Sequence, residues 1–263
     1  ILFLKNDYWI MRDRLSANGA HDLELRFHFA PETTLEIEPH GEGLEPGQSE
    51  LRARVTTGER AELKLAVFGR QGSWSREEST VSQCYGKGEA APVCTFSAVS
   101  SANRGDSGEV ITLLLPSNLG GSEFEVREVE AIGGRAFEII SPAHCDLIVM
   151  KDSRRERVET VRVVSDFNWS WARFSNRGEQ VDQELLELLV IDGGCLELDS
   201  KEIVKSAKRV NYLMASRVGD RFRVETSEGL LDLSFPIGDL AQLFVDSNRG
   251  AQSEPPAVAG GHR

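Results

Sequence analysis

Strict two-residue alternation of apolar and polar side chains constrains this chain more than any other feature. Along the run HDLELRFHF, Leu23, Leu25, Phe27 and Phe29 point one way, and Asp22, Glu24, Arg26 and His28 point the other. The same period recurs in Leu63-Lys64-Leu65-Ala66-Val67, in Phe124-Glu125-Val126-Arg127-Glu128-Val129 and in Arg221-Phe222-Arg223-Val224-Glu225. One buried face and one wet face is the pattern of antiparallel sheets. Turn-forming pairs punctuate these runs at short intervals: Asn18-Gly19, Pro46-Gly47, Asn103-Arg104-Gly105, Gly120-Gly121, Gly133-Gly134, Gly193-Gly194 and Gly219-Asp220. The spacing predicts an all-β chain built as a large antiparallel β-sandwich. Leu25 and Phe27 are expected in its core. Residues 182–189 carry leucines that suit a helix or a strand, and the Val190-Ile191-Asp192-Gly193 hairpin signal favours a strand.

With 263 residues, 40% of them hydrophobic, the chain can bury one large core or two smaller ones. The strands expected at 146–150, 160–164, 169–174, 184–191, 195–198, 209–216, 221–226 and 230–235 read as sheets continuing one sandwich over residues 1–246. A soft internal boundary falls at 150–157, where a charged segment follows a strand. Residues 247–263 end in the small, polar SEPPAVAGGHR and are expected to be a disordered tail.

A net charge of −12 argues against a nucleic-acid partner, because no basic stretch is present to replace phosphate counterions. Arg154, Arg155 and Arg157 cluster, but Glu156 interrupts them, and a solvated turn explains the run. No apolar run is long enough to span a bilayer. Cys84, Cys94, Cys145 and Cys195 show no metal-ligand spacing. Cys84 and Cys94 can pair across a loop in an oxidising compartment, although isolated buried thiols are the commoner arrangement. The opening ILFLKNDYWIMRDRL begins in mid-strand, and a strand needs neighbours for its backbone groups. Such a chain is expected to have lost an N-terminal portion.

No catalytic constellation is visible: there is no nucleophile elbow, no HExxH pair, no phosphate-binding glycine loop and no EF-hand loop. His21 and His28 fall on opposite sides of one pleat and do not converge as metal ligands would. Catalytic and metal residues are therefore expected to be none. The candidate substrate contacts are Arg26 and His28 on the polar face of one strand, and Trp169 and Trp171, which share a sheet face at i, i+2. Arg26 and His28 suit a sugar or a carboxylate, or an ordinary cross-strand hydrogen bond. The two indoles suit sugar rings or a sandwich core.

Four blocks in order, ILFLKNDYWIMRDRL, GAHDLELRFHFAP, VSQCYGKGEAAPVCTF and ITLLLP, resemble the heparinase II/III family of polysaccharide lyases in its C-terminal β-sandwich region. They cover residues 1 to about 115. Thr80 stands where a Trp is usual in that family, and Ala90 replaces the first Pro of its block. The resemblance implies a parent in which an N-terminal α/α toroid joins this sandwich and uronate-containing acidic polysaccharide is cleaved by β-elimination. There the carboxylate is neutralised, a Tyr or His removes the C5 proton, and the C4 oxygen leaves with proton donation. The family's Tyr/His residues, and its HxH metal motif for a divalent ion such as zinc, precede Ile1. The chain alone is thus expected to be inactive and without cofactor. Its partners would be the acidic polysaccharide and the missing toroid, in the periplasm or outside the cell. The alternative is a non-catalytic carbohydrate-binding or interaction module.

Overall fold

A computed structural model describes residues 2–4, 7–15, 21–37, 51–57, 61–68, 72–99, 108–117, 124–175, 183–227 and 244–245. Every regular element among them is a strand. The expected strand at 230–235, the tail at 247–263, and the turn signals at 18–19, 46–47, 103–105 and 120–121 lie outside the described residues. The chain divides into two compact units, 1–122 and 123–263. The boundary expected at 150–157 is not where it divides. The strand before that segment, His144–Lys151, pairs with a strand beyond it, Trp169–Ser175, inside the second unit.

The described residues of the first unit form two sheets. Strands β1 (Leu2–Leu4), β2 (Tyr8–Leu15), β4 (Thr33–Ile37), β5 (Leu51–Thr57), β6 (Ala61–Phe68) and β9 (Gly108–Ser117) form a six-stranded sheet in the order β1-β2-β9-β6-β5-β4. Strands β3 (Asp22–His28), β7 (Gly72–Cys84) and β8 (Lys87–Val99) form a three-stranded sheet in the order β3-β8-β7. The alternation read in β3 takes effect here: its apolar positions are half-buried and its polar ones exposed. In register they face Ala98, Phe96 and Cys94. Leu35 and Leu65 from the larger sheet pack with Cys94 and Phe27 of the smaller, and Val67 and Val110 pack with Phe96. Trp74 closes this layer edge-on to Phe96, with ring centroids 5.4 Å apart, and tilted against Phe27 at 5.9 Å. Tyr85 stands fully exposed at the β7–β8 turn.

The described strands of the second unit form one curled sheet. Its strands are β10 (Glu125–Val129), β11 (Gly134–Ile140), β12 (His144–Lys151), β13 (Val158–Glu159), β14 (Val163–Ser165), β15 (Trp169–Ser175), β16 (Leu185–Leu198), β17 (Lys201–Val218), β18 (Arg221–Thr226) and β19 (Phe244–Val245). The pairings are antiparallel except for β18 with β19, which is parallel. The first half of β16 pairs with β15 and its second half with β14. Strand β13 pairs with β14, and an Ile132–Glu159 bridge returns it to the start of β11. The sheet thus wraps around a core that includes Val149, Phe167, Ala172, Phe174, Leu188, Val190, Leu196 and Phe222.

The sequence predicts two strands joined by a turn at Gly193, whereas β16 is a single bent strand. Its register shifts between Gly193 and Cys195. A Cβ on Gly193 would lie 2.5 Å from the Phe167 Cα, so the glycine lets the two backbones approach. The amides of Gly194 and Cys195 donate to Asp166 Oδ1 at 2.7 and 2.8 Å. These contacts satisfy a β-bulge rather than a hairpin. Residues 160–162, expected inside a strand, form the β13–β14 turn, which the Thr160 hydroxyl stabilises by accepting from the Arg162 and Val163 amides.

Candidate functional site

Because paired residues share a sheet face, the registers of β12, β15, β16 and β17 lay out three cross-strand rows on the side opposite the curled core. The rows are Met150–Trp169–Ile191–Tyr212, then Ile148–Trp171–Leu189–Met214, then Asp146–Arg173–Glu187–Ser216. Burial falls across this face. Ile148 and Met150 are fully buried and Trp171 is 3% exposed, whereas Tyr212 and Met214 on β17 are 45% and 40% exposed.

The third row opens into a cleft of about 520 Å³. Ala143 lines it from the turn before β12 and His144 from the start of β12, Arg173 from β15, Leu186 and Glu187 from β16, Arg217 from the end of β17 and Gly219 from the β17–β18 turn. A second register shift supplies part of this lining. Arg173 faces Glu187 while Phe174 faces Leu185, so Leu186 is the extra residue of a bulge. Leu185 and Leu188 both go to the core, leaving Leu186 beside Glu187 at the cleft.

Arg173 is the most constrained group of the site. Its Nε and Nη2 donate to the two carboxylate oxygens of Asp146 at 2.8 and 2.7 Å. The Asp146 side chain is fully buried and that of Arg173 is 13% exposed. The guanidinium carbon also lies 5.1 Å from the centroid of the Trp171 ring. A planar fork held on two sides has little rotamer freedom left, so it is positioned before any ligand arrives. Nη1 stands 3.6 Å from Glu187 Oε2. His144 Nε2 lies 4.0 Å from Asp146 Oδ2, beyond hydrogen-bond range. Arg217 donates through Nε to the Gly219 carbonyl at 2.9 Å, and its Nη1 is 3.5 Å from Glu184 Oε2.

Burial, followed by the charges of Glu138 and Asp146, pushes the Cys145 thiol up to about 11. Burial alone pushes Cys94 up to about 12. Neither thiol is therefore poised as a nucleophile. All four cysteines are free, and Cys84 opposes Lys87 across the β7–β8 hairpin rather than Cys94. Among the described residues no group of three or more His, Cys, Asp or Glu side chains is placed to hold a metal ion. No helix among them is long and apolar enough to cross a membrane.

The four residues expected at a substrate site separate into two pairs, one in each unit. Arg26 is exposed and bound to Glu24 through Nη2 and Nε, at 2.8 and 3.1 Å. His28 ends β3 opposite Val93 with its side chain exposed. Trp169 and Trp171 share a face as expected, but Trp171 does not offer an indole surface to a sugar. It is buried and carries the Arg173 guanidinium instead. Trp169 remains half-buried in the same row as Tyr212. Asp146, Arg173, Glu187 and Arg217 were not singled out from the sequence. The one local sign was the alternation in Trp169-Ser170-Trp171-Ala172-Arg173, which sets Arg173 on the indole face.

No protein-family model and no curated protein matches this chain.

Proposed function

We propose that this chain is the C-terminal β region of a heparinase II/III-like polysaccharide lyase, and that by itself it binds acidic polysaccharide without cleaving it. One observation carries the reading. The four blocks of the resemblance coincide with β1–β2, β3, the β7–β8 hairpin and β9, and these strands pair within the two sheets of the first unit. They are therefore parts of one packed framework rather than scattered turns.

Eliminative cleavage needs a group that neutralises the uronate carboxylate, a base at C5 and an acid at O4, all held around one sugar ring. The cleft of the second unit has a histidine but no tyrosine in its lining. Tyr8 is buried, and Tyr85 stands at a hairpin tip. The base, the acid and any divalent metal are assigned, on the resemblance alone, to the toroid and early sandwich strands of the parent. In the intact protein, acting in the periplasm or outside the cell, this region forms a wall of the substrate cleft.

The purified chain tests this directly. Alginate, heparan-type and glucuronan polymers should retard it in affinity gels, while no absorbance from an unsaturated uronate product accumulates. Sustained turnover by this chain alone would overturn the assignment. The second reading, a carbohydrate-binding module with no lyase parent, is favoured by the open cleft beside an exposed Tyr212–Met214 edge. The two readings part on whether the gene encodes the HxH and toroid Tyr/His motifs upstream of Ile1.

A further inference from the structure

The balance of charge at the cleft decides what it can hold. Both guanidinium groups already face carboxylates: Arg173 faces Asp146 and Glu187, and Arg217 faces Glu184. Among the described residues three carboxylates oppose these two guanidinium groups, with His144 beside them, and an incoming anion would compete with partners already in place. The lining instead sets a donor and an acceptor side by side on adjacent strands, Arg173 Nη1 and Glu187 Oε2, 3.6 Å apart. Leu186, brought there by the bulge, adds an apolar contact. Beyond them the same face continues through Met214 to Tyr212. From Ser216 to Tyr212 the strand rises about 13 Å, more than one sugar ring requires.

A fixed donor, a fixed acceptor and an apolar side chain match the edge of a pyranose, where neighbouring hydroxyls each give and accept hydrogen bonds and the C–H groups are apolar. We propose that this cleft is a carbohydrate subsite that takes two vicinal hydroxyls of one ring. Glu187 accepts from one hydroxyl, and the Arg173 guanidinium donates to the other. The carboxylate of a uronate, if the ring carries one, stays outside the cleft. The inference rests on the carbohydrate part of the function proposed above, and it assigns the contact to the second unit rather than to Arg26 and His28.

Titration calorimetry of the full chain with a neutral β-glucan hexasaccharide and with a hexauronate, each at low and high salt, tests it. Both sugars should bind, the neutral one with an affinity that changes less than about twofold with salt and the hexauronate with one that holds or rises as salt screens the like charges, as expected when no ion pair forms with the sugar. Glu187→Ala should weaken both by about tenfold or more, the loss of a charge-assisted hydrogen bond. Arg26→Ala should leave both unchanged. If Glu187→Ala melts below the assay temperature, Glu187→Gln, which keeps the shape and removes the charge, should still weaken binding severalfold. Binding of the hexauronate alone with steep salt dependence would make the cleft an anion site and overturn the inference. Binding unmoved by either Glu187 variant would place the sugar elsewhere, sinking the inference while leaving the carbohydrate reading intact. Absence of binding by both sugars would remove both.

Discussion

Arg173 and Asp146, on neighbouring strands of the second unit, are joined by two parallel hydrogen bonds of 2.8 and 2.7 Å around a carboxylate that is fully buried. A buried ion pair of this geometry is costly to break from one side, because the remaining charge stays out of water without its partner. Arg173→Met should therefore destabilise the chain by about 3–5 kcal/mol in urea unfolding. The double variant Asp146→Leu/Arg173→Met should recover most of that loss. Additive single effects would show that the pair is not coupled.

Gly193 and Gly86 make a paired comparison. An alanine Cβ at Gly193 would meet the Phe167 backbone at 2.5 Å, whereas at Gly86 nothing lies within 4 Å and only its φ of +80° opposes substitution. Gly193→Ala should cost about 1–3 kcal/mol by overpacking. Gly86→Ala should cost about 1–2 kcal/mol, from the left-handed backbone alone. Replacing Phe167 with Leu should rescue neither, because the Phe167 Cα that meets the new methyl stays in place, and thermal melts of the single and double variants read this out.

Thiol alkylation should follow burial. A thiol raised to about 11, as Cys145 is, leaves on the order of one thiolate in a thousand at pH 8, and Cys94 at about 12 leaves fewer. Cys84 is exposed on β7 and should take up iodoacetamide first. Peptide mass mapping at short times should find label at Cys84 and none at Cys94 or Cys145. Early label at Cys94 would mean that the first unit opens readily.

The Asp192 carboxyl, which accepts hydrogen bonds from Arg209 and from Asn168, is held below the usual carboxylate range chiefly by the Arg209 contact. A depressed folded-state value stabilises the fold above the unfolded pKa of about 4, and the benefit fades as pH falls through the folded value. Both side chains are substantially exposed, at 37% and 59%, so the effect should stay below about 1 kcal/mol. Asp192→Asn tolerates the positive φ of 59° and removes the charge. Its deficit against the parent should be largest near neutrality and shrink as pH approaches 2.

Strand identity was legible wherever alternation was regular, as in β3, because the period determines both conformation and facing. Bends were not legible. Gly193-Gly194 has the composition of a turn, and only the packing of Phe167 and the carboxylate of Asp166 make it a bulge inside β16. The division of the chain was missed for a related reason. The charged residues 152–157 look like a linker but join β12 to the curl of the same sheet. The cleft was illegible because its residues come from β12, β15, β16 and β17, which meet only through long-range registers. Trp171 was visible as a residue of interest, but its role as the support for Arg173 depends on a partner in β12 that no local pattern marks.

Strand β16 holds β15 along one half and β14 along the other while β17 runs beside it. Such sharing ties the amides on both sides of the curl to one opening event. Hydrogen exchange across β14, β15 and β16 should thus converge on a single protection level, and the cleft floor should be as slow to open as the hydrophobic centre behind it.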